Sequence, residues 1–174
     1  MRCFVAIELP EKIRGGLYGK SSELYKKNLF KGKITEKENL HLTLKFLGEI
    51  SEEKIEEVKK KLKEIKLKRF EVSLKEFGVF NENFVRIIWI HLSGAEELQK
   101  EIDSKLENLI EQERRFMSHI TIARVKSCDR KKLIEEVKKM SLEGEFYVES
   151  FELVCSELTE SGPIYTILEK FKLE

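Results

Sequence analysis

Two short stretches of this 174-residue chain follow the same pattern, His41–Leu44 (HLTL) and His119–Ile122 (HITI). The chain has only three histidines, and threonine occurs at only five positions. Chance would place threonine two residues after two of the three histidines with odds of roughly a few in a thousand, although short motifs also produce false matches. The repeated His-x-Thr pattern is therefore the feature from which the fold and the site are predicted.

Both stretches lie in runs typical of β-strands, at residues 40–47 and 119–125. Successive side chains of a strand point to opposite faces, so each histidine shares a face with its threonine, while the apolar residues beside them face the core. Further strands are predicted at 3–9, 70–80, 83–92, 145–147, 149–158 and 164–171, and helices at 11–27, 51–67, 95–110 and 129–140. Tight turns are expected at 81–82 and 162–163.

The two halves of the chain repeat one order of elements: an apolar strand, a helix, a His-x-Thr strand and a second charged helix. An internal duplication predicts two similar lobes related by a pseudo-two-fold axis. We therefore expect an α+β, bilobal duplicated fold, with two antiparallel β-sheets forming a central cleft and helices on the outside. The length suits one domain over residues 1–174, made of these two pseudo-symmetric lobes.

Composition excludes several classes of protein. A formal net charge of +1 provides no overall field for nucleic acid, so any RNA contact must come from a local basic patch. The three cysteines lack C-x-x-C spacing, which argues against a zinc site or a disulfide framework and favours a reducing compartment. No apolar run has the length of a membrane span, and we expect a cytoplasmic protein without membrane contacts.

Two His/Thr pairs brought together across a cleft suit phosphate chemistry. Cleavage of a cyclic phosphodiester needs a base that activates water and an acid that protonates the leaving oxygen. Histidine does both near neutral pH, which makes His41 and His119 the candidate catalytic residues. The hydroxyls of Thr43 and Thr121 are candidates for donating hydrogen bonds to the phosphate oxygens.

Arg124 and Phe46 are weaker candidates for binding substrate. A guanidinium would bind phosphate in a bidentate manner, but simple alternation places Arg124 on the face opposite His119. It reaches the cleft only if the strand bulges or ends near Ala123. Phe46 follows the first motif closely and is a candidate for stacking on a nucleobase at the cleft rim, although an aromatic side chain is more often part of a core.

Each of these residues also has a less specific interpretation. A single His-x-Thr in a strand is usually structural, and only its repetition at equivalent places favours catalysis. His91 has no such context and is left out of the predicted site. A metal site is not expected, because no carboxylate or cysteine is patterned beside the two histidines.

On these motifs the chain resembles the two-histidine (2H) phosphoesterase superfamily, and within it the bacterial and archaeal RNA 2′,3′-cyclic phosphodiesterases, historically called 2′-5′ RNA ligases. The resemblance extends over nearly the whole chain. It rests on residues 2–7 (RCFVAI), 38–48 (ENLHLTLKFLG), 115–116 (RF), 119–124 (HITIAR), 156–158 (SEL) and 162–165 (GPIY).

The resemblance implies hydrolysis of an RNA 2′,3′-cyclic phosphate end to a 2′-phosphomonoester, without a metal or other cofactor. It implies that His41 donates a proton to the departing 3′ oxygen and that His119 is the base on water. Thr43, Thr121 and Arg124 would hold the phosphate. The family is also associated with joining tRNA halves through a 2′-5′ linkage, in which an RNA 5′-hydroxyl attacks the cyclic phosphate in place of water. We expect a monomer whose partner is RNA with a cyclic phosphate end.

Two positions depart from the family pattern: Ser118 and Lys37 stand where proline is usual, which affects substrate fit more than chemistry. Three alternatives stay open at this point: a cyclic phosphodiesterase for small cyclic nucleotides, a non-catalytic RNA-end-binding module and, more distantly, a metal-dependent phosphoesterase.

Overall fold

The computed structural model describes all residues, 1–174. Nine strands and four α-helices follow one another along the chain: β1 (Arg2–Glu8), α1 (Glu11–Lys26), β2 (Phe30–Ile34), β3 (His41–Glu49), α2 (Glu52–Lys63), β4 (Phe70–Val79), β5 (Ile87–Ser93), α3 (Glu96–Leu106), β6 (His119–Cys128), α4 (Arg130–Lys139), β7 (Glu145–Val148), β8 (Ser150–Thr159) and β9 (Gly162–Lys172). A short 3₁₀ helix at Lys37–Asn39 precedes β3.

The strands form two sheets, with orders β3-β1-β8-β9 and β2-β6-β5-β4-β7, and every pairing is antiparallel. Helices α2 and α3 pack on the first sheet and on each other, whereas α1 and α4 pack on the second. The predicted α+β bilobal fold with two antiparallel sheets is confirmed. None of the helices has the length and apolar character needed to cross a membrane.

Each sheet draws strands from both halves of the chain. β4 follows the first half's helix α2 yet pairs with β5, and β8 from the second half pairs with β1. The two motif strands hold equivalent places, since β3 pairs with β1 and β6 pairs with β5. This exchange of strands ties the lobes together, because neither sheet can form from one half alone.

The apolar residues of the two motifs anchor their strands in a common core, as the alternation predicted. Leu42, Leu44, Ile120 and Ile122 are all at most 2% exposed and belong to one cluster of 40 buried residues. The histidine and threonine of each motif remain partly accessible on the opposite face. Burial of the apolar pairs therefore fixes which side chains face the cleft.

Several element boundaries differ from the prediction. Strand β2 was not predicted, because its sequence, FKGKI, contains a central glycine and two lysines. The hairpin formed by β4 and β5 is present, but β5 begins at Ile87 instead of residue 83. Helices α2 and α3 end about one turn earlier than expected, at Lys63 and Leu106.

Candidate active site

A cavity of about 550 Å³ lies between the two sheets. The structure brings to its wall all six side chains that the sequence proposed for the site: His41, Thr43, Phe46, His119, Thr121 and Arg124. It does not bring His91 there; that side chain bonds to Glu76 instead, with Nδ1 3.2 Å from Oε1.

A β-bulge in β3 determines which later side chains face the cavity. Thr43 pairs with Ala6 and Lys45 with Val5, so Leu44 is an extra residue without a partner. The extra residue shifts the alternation by one position. Consequently Lys45 points into the core and is 2% exposed, while Phe46 points into the cleft and is 66% exposed.

Strand β6 contains a bulge at the equivalent position. Thr121 pairs with Trp89 and Ala123 with Ile88, which leaves Ile122 as the extra residue. Arg124 thereby reaches the cleft face. The sequence required a bulge or a strand end near Ala123 for this, and the bulge is present. Because the two bulges occur at matching places, Phe46 and Arg124 occupy pseudo-symmetric positions on opposite walls.

In both histidines Nδ1 bonds to a backbone carbonyl, which leaves Nε2 as the ring nitrogen available to a ligand. Nδ1 of His41 lies 2.6 Å from the carbonyl oxygen of Asn39, and Nδ1 of His119 lies 2.8 Å from that of Met117. A carbonyl oxygen can only accept, so Nδ1 carries a proton in each ring. The neutral imidazole therefore has an unprotonated Nε2, which can accept a proton, and the imidazolium has an Nε2–H, which can donate one.

The surroundings of His41 disfavour its charged form. Its ring stacks on Phe4 with centroids 4.8 Å apart and lies perpendicular to the ring of Tyr165 with centroids 5.2 Å apart. Burial lowers the pKa of His41 below its usual 6.5; the Asn39 carbonyl opposes this, and positive charge on His119 adds to it. The free protein thus holds His41 neutral at neutral pH. The rings of His41 and His119 line the same cavity.

The ring of His119 has one aromatic neighbour, Phe80, which meets it edge-on with centroids 5.0 Å apart. Its Nε2 has no hydrogen-bond partner among protein atoms, whereas Nε2 of His41 lies 2.8 Å from Oγ1 of Thr43. The two motifs therefore differ in one respect: Nε2 of His41 has a hydrogen-bond partner in the protein, and Nε2 of His119 has none.

Arg124 lies free of carboxylates on the cavity wall. Its cross-strand neighbour Lys33 is already paired with Glu36, while Arg124 is exposed and takes part in no ion pair. An unpaired guanidinium in a cleft favours an anionic ligand. Together with the two threonine hydroxyls, it gives the cavity the donors that a phosphate requires.

The unpredicted strand β2 and the segment after it form one end of the cavity. Oγ1 of Thr35 donates to the carbonyl oxygen of Thr121 at 2.9 Å, and Asn39 donates from Nδ2 to that of Pro163 at 3.2 Å. Nζ of Lys33 donates to the carbonyl oxygen of Ser161 at 3.0 Å. The bonds of Asn39 and Lys33 join this segment to the start of β9 and to the β8–β9 turn.

The sequence did not single out several side chains that line the cavity: Arg2, Phe4, Asn39 and Tyr165. The contact between Asn39 and Nδ1 of His41 is made by the backbone carbonyl, so the side chain at that position carries no signal for it in the sequence. Burial raises the pKa of Tyr165 above its usual 10, against the effect of Arg124, so its hydroxyl stays protonated and can donate a hydrogen bond.

A sequence model of the family described as LigT-like phosphoesterase matches the chain in two segments, residues 7–89 and 92–165, and each contains one His-x-Thr strand. The chain belongs to this family. The resemblance proposed from the sequence is confirmed, and the two matched segments agree with the internal duplication.

Relatives and solved structures agree with membership of the LigT-like phosphoesterases. An RNA 2′,3′-cyclic phosphodiesterase of Methanocaldococcus jannaschii is 41% identical over 180 aligned residues, covering 98% of this chain and 100% of the relative. The structure of TT0787 from Thermus thermophilus has a TM-score of 0.83 at 30% identity, covering 99% of this chain and 97% of that one. E. coli LigT complexed with 3′-AMP has a TM-score of 0.77 at 26% identity, covering 99% and 97%.

In this LigT-like phosphoesterase, no three side chains of His, Cys, Asp or Glu lie together in a way that could hold a metal ion. The groups that the cavity offers for chemistry include two imidazoles, the hydroxyls of Thr43, Thr121 and Tyr165, and two guanidinium groups.

Proposed function

We propose that the protein hydrolyses 2′,3′-cyclic phosphodiester ends of RNA to 2′-phosphomonoesters by metal-independent acid–base catalysis with His41 and His119. The observation that carries the proposal is a single cavity lined by two histidines, each with Nδ1 bonded to a backbone carbonyl, and by an unpaired Arg124. The relative from M. jannaschii acts, by its name, on the same kind of RNA end.

His119 accepts a proton through Nε2 from a water molecule, whose oxygen attacks phosphorus. The bond from phosphorus to the 3′ oxygen breaks, and His41 donates a proton from Nε2 to that oxygen. The products are a free 3′-hydroxyl and a 2′-phosphate, and the two histidines have exchanged protonation states. Each well-placed acid or base contributes a factor of about 10²–10⁴ to the rate.

The assignment of His41 as the acid requires its protonated form, which the free protein disfavours. The bound phosphodiester is an anion beside the ring of His41 and raises its pKa. Substrate binding therefore favours the protonated imidazole that acts as the acid. His119 is the base because its Nε2 has no protein partner and can bond directly to water.

Arg124, Thr43 and Thr121 bind the non-bridging oxygens, on which negative charge increases in the transition state. Phe46 stacks on the terminal nucleobase, since its exposed ring lies on the wall beside the first motif. The structural relative E. coli LigT has been solved in complex with 3′-AMP, which supports a nucleotide as the ligand.

The same step joins RNA strands when an RNA 5′-hydroxyl attacks phosphorus in place of water, because loss of the 3′ oxygen then leaves a 2′-5′ linkage and a free 3′-hydroxyl, which would suit tRNA halves. We propose that residues 1–174 work as one domain of two pseudo-symmetric lobes, as a monomer in the cytoplasm. Its three cysteines are free, as suits a reducing compartment.

The test is incubation of purified protein, in EDTA, with a short RNA ending in a 2′,3′-cyclic phosphate, beside His41→Ala and His119→Ala. We expect a 2′-phosphate product from the wild type and a loss of at least about 10²-fold in each variant. Binding of the RNA without turnover would favour an end-binding module. Activity that depends on added metal, or that survives either substitution, would refute the mechanism. Faster turnover of mononucleotides than of RNA would favour the small-nucleotide alternative.

A further inference from the structure

The cavity contains a second guanidinium without a partner. Arg2, the first residue of β1, lines the cavity from the first sheet, whereas Arg124 lines it from the second. Arg2 is exposed and takes part in no ion pair or side-chain hydrogen bond, even with its cross-strand neighbour Glu49. Arg124 is sufficient to bind the reacting phosphate, so the proposed mechanism assigns no role to Arg2.

Three positions along β1 carry side chains on the cleft face: Ala6, Phe4 and Arg2. They pair with Thr43, Phe46 and Glu49 of β3, respectively. Arg2 lies four residues from Ala6, which corresponds to about 13 Å along the strand.

Moving outward from the His41 motif, the wall therefore offers a phosphate-binding hydroxyl, an exposed aromatic ring at Phe46 and then a free guanidinium at Arg2. A nucleotide inside an RNA chain has the same order of groups: a phosphate on its 3′ side, a base, and a phosphate on its 5′ side. A cyclic phosphate held at the histidines, with the base on Phe46, directs the 5′ phosphate outward along this wall.

We propose that Arg2 binds the phosphate on the 5′ side of the terminal nucleotide, and that the enzyme thereby selects RNA chains of two or more nucleotides over mononucleotides. This proposal rests on the proposed function. The guanidinium matches two phosphate oxygens at once, which gives geometry as well as charge. Arg2 is a substrate-positioning residue, since it touches a linkage that does not react.

The test compares two dinucleotides that both end in a 2′,3′-cyclic phosphate, one with a normal internal phosphodiester and one with an uncharged methylphosphonate in its place. The measured quantity is the ratio of their kcat/KM values. For the wild type we expect a ratio of about 10 or more, the value of a charge-assisted hydrogen bond. For Arg2→Ala we expect a ratio near 1, because the variant has lost the group that senses the charge.

Lys131→Ala is the matched control, because Lys131 is an exposed, unpaired cation on the outer helix α4; its ratio should equal that of the wild type. Arg2→Lys should give an intermediate ratio, since it keeps the charge and loses the bidentate geometry. A wild-type ratio near 1, or the wild-type ratio retained in Arg2→Ala, would overturn the role of Arg2 and leave the proposed function intact. Failure of the wild type to hydrolyse either dinucleotide would instead refute the proposed function.

Discussion

Nε2 of His41 lies 2.8 Å from Oγ1 of Thr43, whereas Nε2 of His119 makes no such bond to the equivalent Thr121. Since Nδ1 of His41 is committed to the Asn39 carbonyl, the threonine hydroxyl donates to the neutral ring and accepts from the protonated one. Two motifs with the same residues and spacing thus place their Nε2 atoms in different surroundings. A reaction in which one ring is the acid and the other is the base requires such a difference between them.

Thr43→Val and Thr121→Val should therefore differ in their effect on the histidines. Both should lower kcat/KM about tenfold through loss of a donor to the phosphate. Only Thr43→Val should lower the pKa of His41 further, because the imidazolium loses a stronger, charge-assisted bond than the neutral ring does. Titration of the imidazole resonances by NMR checks this. Equal shifts of His41 in both variants would contradict the asymmetry.

The pKa of His41 in the free protein should be below 6.5, with burial as the larger cause and the charge of His119 as a smaller one. His119→Ala should raise that pKa while leaving it below the usual value. Phe4→Ala should raise it more, since removal of the stacked ring admits water. NMR titration of the three proteins provides the order. A larger rise in His119→Ala than in Phe4→Ala would reverse the assigned causes.

The same lowered pKa makes stability depend on pH. The unfolded chain binds a proton at His41 more readily than the folded protein, so this contribution to stability is present above pH 6.5 and is lost as the pH falls through the lowered pKa. Urea unfolding between pH 7.5 and 5 should show a smaller loss of stability in His41→Gln than in the wild type. An unchanged slope in the variant would show that His41 is not the responsible group.

Phe46→Ala should raise KM for RNA substrates about tenfold and change kcat much less, because stacking on a base contributes about 1–3 kcal/mol and lies away from the reacting bonds. Tyr147→Ala is a suitable control, since Tyr147 is 68% exposed on β7, the edge strand farthest from β6 in its sheet. Steady-state kinetics on one oligonucleotide compare the two. An effect on kcat alone would place Phe46 among structural residues.

Much of the fold and the site could be predicted from the sequence, because alternation fixes faces wherever one face is buried. Leu42 and Ile122 are buried as predicted, and the cleft face of each motif follows from them. Alternation could not predict the bulges at Leu44 and Ile122, which depend on pairing with β1 and β5 and have no local signature. The family resemblance supplied the position of Arg124 that local physics could not.

Strand β2 was not predicted, because it too depends on pairing with a strand that is distant in the sequence. Its sequence has low strand propensity, and as an edge strand it is stabilised only by its pairing with β6. Its glycine, Gly32, meets the backbone of Arg124 so closely that a Cβ atom would lie 2.1 Å from the Arg124 carbonyl oxygen. The pairing of β2 with β6 therefore requires glycine at position 32, although glycine lowers the strand propensity of this sequence.

Gly32→Ala should displace β2 from β6 and disturb Arg124, lowering both the melting temperature and the affinity for phosphate. Gly48→Ala is the matched control, because Gly48 also has a positive φ, of 71°, but a Cβ atom there meets nothing within 4 Å. The control should cost about 1–2 kcal/mol of stability for backbone strain and should leave phosphate affinity intact. Calorimetric unfolding and phosphate titration separate the two effects. Equal phosphate affinity in both variants would contradict the role of β2.

A buried ion pair joins the strand of one histidine to the loop that leads to the other. Lys45, on β3, pairs with Asp103 of α3, and its Nζ donates to the carbonyl oxygen of Glu111 at 2.7 Å. Asp103 also accepts from the backbone N–H of Glu113 at 3.1 Å. The loop containing Glu111 and Glu113 precedes His119, so this network fixes the spacing between the two motif strands.

Asp103→Ala should cost about 3–5 kcal/mol of unfolding free energy, because it leaves the charge of Lys45 buried without a partner. Lys45→Met should cost less, since the remaining carboxylate keeps the Glu113 N–H and water can reach it, its side chain being 13% exposed. In Lys45→Met/Asp103→Leu the loss should be smaller than in Asp103→Ala alone, because no unpaired charge remains. Denaturant unfolding of the three variants measures the order. If Asp103→Ala is at least as stable as the double variant, the charge of Lys45 is not left without a partner in Asp103→Ala. The ion pair would then not be what holds the loop before His119.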